Sequence, residues 1–131
     1  MPRFNKMIPL VALTAPLLAF APFAMAQQPN TGANVSAFTA AQASTGRSTY
    51  QERCASCHLP DLRGSNEAPP LGGANFMNTW LNRSTADLYN KIHDTMPATN
   101  PGTLSEQDAV SLVAFILQSN GVQPGTRALA I

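Results

Sequence analysis

The chain has 131 residues, with 8 basic and 7 acidic side chains and a formal charge of +1. That length suits one small domain. The near-neutral balance, with no basic patch, excludes a surface that holds a nucleic-acid backbone, and strong electrostatic steering to a partner is not expected either.

Arg3 and Lys6 precede an uncharged apolar run from Met7 to Phe23, and Ala24-Met25-Ala26 has the form of a cleavage site. Together they predict a secretory signal peptide over residues 1–26, with Gln27 as the new N-terminus. Pro9, Pro16 and Pro22 interrupt the run. They speak against a stable spanning helix, so export to the periplasm without lasting membrane insertion is the expectation; an uncleaved anchor is the alternative. Removing residues 1–26 leaves 105 residues with 6 basic and 7 acidic side chains, a formal charge of −1.

Residues 27–41, rich in Gln, Ala, Asn and Thr, read as a flexible leader with little to bury. From Gln42 the pattern changes. Gly46, Tyr50 and Cys54 recur every four residues and share one helical face. That helix runs into Cys54-Ala55-Ser56-Cys57-His58. Two thiols two residues apart, followed at once by histidine, form the c-type haem attachment pattern. Each thiol can add to one haem vinyl group, and His58 is then placed to donate a ring nitrogen to the iron. Two other readings compete. A redox disulfide expects a βαβ pattern and gives His58 no role. A zinc site would need Cys54, Cys57, His58 and His93, with adjacent ligands that suit a tetrahedron poorly.

Residues 59–79 carry Pro60, Gly64, Pro69, Pro70, Gly72 and Gly73 and read as a long irregular segment wrapped around a cofactor. Trp80 and Leu81 are expected to start a short helix. Ser84-x-x-Asp87 caps another over 85–94, which ends before Pro97. Ser105-x-x-Asp108 caps the last helix, with an apolar face through Val110, Val113 or Ala114, and Leu117, and Asn120-Gly121 stops it. Residues 122–131 read as a loose tail. No strand or internal repeat is expected, and the fold class is all-α.

A second iron ligand must come from this distal part. The chain after residue 26 holds two methionines, Met77 and Met96. Met96 lies between a helix and a Pro-Gly turn and is the expected ligand; Met77 suits packing, and His93 or an open position are the alternatives. The Pro69-Pro70-Leu71 segment is placed to offer His58 a carbonyl. Trp80 serves either the core or a haem propionate. The chain after residue 26 has few large apolar side chains (Phe38, Tyr50, Phe76, Trp80, Tyr89 and Phe115), so a haem would be a major part of its core.

The ordered set resembles the class I, mono-haem cytochromes c over about residues 42–121. The resemblance implies a small helical fold around one haem c attached through Cys54 and Cys57. Its terminal helices would cross at Gly46 and Tyr50, with Phe115 a candidate partner. It also implies His58 and Met96 as iron ligands, Pro69 as carbonyl acceptor for His58, and Leu71 as a haem contact. Phe76-x-x-x-Trp80 and Leu88-Tyr89…Thr95-Met96-Pro97 are similar to bacterial cytochromes serving periplasmic dehydrogenases, quinoproteins among them. The implied function is single-electron transfer, with a periplasmic dehydrogenase as donor and an oxidase or another cytochrome as acceptor. A small peroxidase-like enzyme with a displaceable sixth ligand is the rival, and a dehydrogenase-bound subunit a variant of the first.

Overall fold

The computed structural model describes residues 38–131. The expected signal segment and most of the leader lie outside them. Among the described residues there are five helices and no strand.

Helix α1 (Ala40–Arg53) starts two residues before the expected Gln42 because Thr39 is its N-cap. The Thr39 hydroxyl accepts from Gln42 N at 3.2 Å, and Gln42 Oε1 accepts from Thr39 N at 3.1 Å, a reciprocal capping box. The backbone breaks at Cys54, and a four-residue helix α2 (Ala55–His58) follows. Helix α3 (Gly73–Trp80) corrects the sequence reading twice: part of the irregular segment is helical, and Trp80 ends a helix instead of starting one. Helix α4 (Thr85–Thr95) carries the expected Ser84–Asp87 capping box. Helix α5 (Glu106–Ser119) is capped by Ser105, whose hydroxyl accepts from Asp108 N.

The core forms where α1 crosses α5. A Cβ at Gly46 would overlap the Ser111 carbonyl and lie 2.9 Å from Phe115 Cβ, so the two backbones approach as closely as they do only because position 46 has no side chain. Beside the crossing, the Tyr50 and Phe115 rings sit 5.2 Å apart, tilted by 48°. Arg47 places its guanidinium 5.3 Å from the centre of the Phe115 ring, a cation–π contact that shields the aromatic pair from solvent.

The last ten residues are docked, against the expectation of a loose tail. Gly125 N donates to Phe38 O at 2.8 Å. Leu129 is buried, and its N–H and carbonyl are both taken by the Gln42 side chain, at 2.8 and 2.9 Å. Phe38, expected in a leader with little to bury, is fully buried. One amide side chain thus caps α1 and fastens the far end of the chain onto it.

Candidate haem-binding site

The attachment turn is built from the end of α1. Cys57 N and His58 N both donate to Cys54 O, at 3.1 and 3.0 Å, which closes a tight turn carrying both thiols and the imidazole. Burial pushes the Cys54 thiol up to about 11, with the Cys57 thiol adding to the rise and Arg53 opposing it. Before any covalent bond forms, Cys54 is therefore protonated near neutral pH and a weak nucleophile.

His58 is buried, and its Nδ1 lies 2.8 Å from Pro69 O. A carbonyl only accepts, so Nδ1 carries the proton in this bond, and in the neutral ring Nε2 is the nitrogen with the lone pair. The acceptor is Pro69, not Pro70. A network places that carbonyl. Gly64 N donates to His58 O at 3.0 Å, Ser65 N to Ala68 O at 2.8 Å, and Leu71 N to Leu62 O at 2.9 Å. The Ser65 hydroxyl donates to Cys57 O at 3.0 Å. Gly64 adopts φ +71°, and a Cβ there would lie 2.6 Å from Pro69 C; both the torsion and the space demand glycine. Leu59 and Leu62 also hold positive φ, 63° and 62°, an uncommon state for branched side chains. The Tyr50 hydroxyl donates to Leu59 O at 2.6 Å and helps hold the first of them.

These elements enclose a cavity of about 690 Å³, within the range of roughly 300–1,000 Å³ common for cofactor sites. Cys54, Cys57, His58, Pro69, Leu71, Trp80 and Met96 all line it. Phe76, Leu88, Ile92, Leu112 and Ile116 complete its apolar walls. Trp80 stacks on Phe76 at 6.0 Å, and the Arg83 guanidinium sits 5.1 Å from its ring. Met96 is extended, at φ −121° and ψ 153°, directly after α4.

The alternatives fall elsewhere. Met77 is 38% exposed, not packed, and does not line the cavity. His93 stacks on Tyr89 and bonds Asp94 at 2.9 Å, also away from the lining. Among the described residues no three His, Cys, Asp or Glu side chains gather as a metal site would need, so the four ligands of the zinc alternative are not brought together. Two thiols, one imidazole with a free Nε2 and one thioether, in an apolar cavity of this size, fit a covalently attached haem.

Sequence reasoning missed three contributors. Arg83 and Lys91 line the cavity. Asn120, read only as a helix stop, donates to Leu71 O at 2.9 Å and accepts from Gly73 N at 3.0 Å, fixing the segment between Pro70 and α3.

Among known proteins, no curated sequence matches the chain. A solved chain of the sulfane dehydrogenase SoxCD from Paracoccus pantotrophus is similar at 27% identity and a TM-score of 0.52, over 62% of this chain and 44% of that one. The chain thus spans less than half the length of that relative. The family described as cytochrome c oxidase, cbb3-type, subunit III matches residues 41–116, which contain the attachment turn, the Pro69 carbonyl, Met96 and the α1–α5 crossing. A match over more than half of the sequence, on a helical frame built around that cavity, places the chain in this family, among the class I c-type cytochromes with covalent haem c.

Proposed function

We propose that this chain is a periplasmic single-electron carrier in which His58 and Met96 hold the haem iron. The observation that carries the reading is the shared cavity: of the candidate ligands, His58 and Met96 line it, and His93 and Met77 do not. Bound haem c supplies a one-electron ferric–ferrous couple.

The chain's own residues tune and protect that couple. The Pro69 carbonyl holds the His58 proton on Nδ1, which fixes the ring and raises the donor strength of Nε2. Met96 contributes a neutral, soft sulfur that favours the reduced metal and raises the potential. Phe76, Leu88, Ile92, Leu112 and Ile116 keep water away and keep the local dielectric low. The reading assigns no residue as acid, base or nucleophile. The signal-like residues 1–26 support export. The likeness to a chain of a sulfane dehydrogenase supports a dehydrogenase as electron donor; an oxidase or a second cytochrome then accepts. Such contacts are small and short-lived.

The test is the oxidised holoprotein's near-infrared sulfur–ferric band. It should be present in the wild type, vanish in Met96→Ala together with a fall in potential, and survive Met77→Leu. A band that persists in Met96→Ala refutes the ligand assignment. Rapid binding of cyanide and turnover of peroxide by the wild type would favour a haem enzyme instead.

A further inference from the structure

A run of hydrogen bonds joins the attachment turn to the segment that carries Met96. Arg53 ends α1, precedes Cys54 and lines the cavity. Its Nη2 donates to Thr103 Oγ1 at 3.0 Å. Thr103 Oγ1 donates in turn to Asn100 O at 2.9 Å. Asn100 N donates to Pro97 O at 2.9 Å, one residue from Met96. The segment has little else to hold it. Residues 98–103 are all exposed, and burial resumes only at Leu104. A loop without buried apolar contacts opens at low cost, yet an axial ligand must stay within bonding reach of its metal.

We propose that Arg53 and Thr103 form a latch that positions Met96: they fasten the 97–103 loop to the end of α1 and keep foreign ligands off the iron. This rests on Met96 being the ligand. Arg53 is anchored by its helix and sits beside the cysteine that fixes the cofactor, so the latch ties the Met96 loop to the attachment turn by side chains 50 residues apart. Each is a positioning residue, since neither is a ligand itself. A hydrogen bond from a charged donor at an exposed site is modest, so its loss should raise the open fraction by about three- to tenfold.

The experiment follows imidazole displacing sulfur in the oxidised holoprotein, read as loss of the near-infrared band. Thr103→Val removes the hydroxyl with no change in charge. Thr103→Ser keeps it. Arg53→Met keeps the apolar stem and removes the donor. Thr103→Val and Arg53→Met should each react about three- to tenfold faster, and the double variant no faster than Thr103→Val, which already removes the bond that Arg53→Met deletes. Thr103→Ser should match the wild type, and the unfolding midpoint of Thr103→Val should fall only as far as the loss of these exposed bonds requires. A wild-type rate in Thr103→Val overturns the latch, as does an equal rise in Gln42→Ala, which loosens the fold far from this loop. A wild type lacking the band overturns the Met96 assignment, and the latch with it.

Discussion

Gly46→Ala is the sharpest probe of the helix crossing. On an isolated helix this change stabilises by about 1 kcal/mol, because alanine is the better helix former. In this fold the new Cβ would overlap the Ser111 carbonyl and press on Phe115 Cβ, 2.9 Å away. The main obstacle is backbone, so no rotamer change relieves it; α1 and α5 must separate, and the neighbouring Tyr50–Phe115 pair, now at 5.2 Å, loosens with them. Overpacking of this kind costs about 1–3 kcal/mol and occasionally more, and the rigid carbonyl argues for the upper end. A net loss of about 2–3 kcal/mol corresponds to a fall in Tm of roughly 10–20 °C for a domain this small. Guanidinium unfolding of the holoprotein, followed by helical circular dichroism, measures it: the midpoint should drop with the slope unchanged. Gly46→Val should be worse still. If Gly46→Ala is as stable as the wild type or more so, helix propensity has won and the helices do not meet there as described.

Three further outcomes are expected. Burial holds the Tyr50 phenol up to about 12, with Asp61 adding to the rise and Cys54 adding to it only while it is a free thiol; its contribution to stability is therefore intact below pH about 10, the usual phenol value, and is lost as pH climbs towards 12. Tyr50→Phe should remove that alkaline component from the stability–pH profile, and an identical alkaline fall in both proteins would count against the assignment. Gln42→Ala should cost about 1–2 kcal/mol and speed amide exchange over 125–131, whereas unchanged exchange would mean the tail docks without Gln42. Protein made without haem should exchange amides fastest across residues 59–72 and slowest in α1 and α5, with a lower melting temperature than the holoprotein; equal melting of the two forms would show that the cofactor is no part of the core.

What could be read in the sequence was what neighbours in sequence decide. The Ser84–Asp87 and Ser105–Asp108 caps each close within three residues, and the attachment turn closes between Cys54 and His58. Two of the misreadings, at α3 and at the tail, involve partners far along the chain. Helix α3 has no capping side chain of its own; the acceptor at its start is Asn120 Oδ1, 47 residues on. Gly72 and Gly73 therefore looked like punctuation in a loop when they mark the edge of a helix. The tail looked loose because its acceptor and donor belong to Gln42, 87 residues earlier. Residue types offered His58 a carbonyl from the Pro69-Pro70-Leu71 segment without saying which; the positive-φ turn at Gly64 and the bonds around it bring Pro69 O to the ring. Met77 shows the reverse error: an apolar side chain was assigned to packing, but it sits on the open side of α3.

The meeting of Gly125 with Phe38 has a consequence for how this domain can be joined to others. The first described residue and the last segment lie side by side: Gly125 N is 2.8 Å from Phe38 O, and Leu129 is bonded to Gln42. No residue of 38–49 or 117–131 contributes to the cavity wall. Ends that are adjacent, and remote from the cofactor, make a domain easy to splice into a longer polypeptide or to permute circularly. A fusion partner attached at either end pulls on the Gln42 clasp and not on the iron ligands.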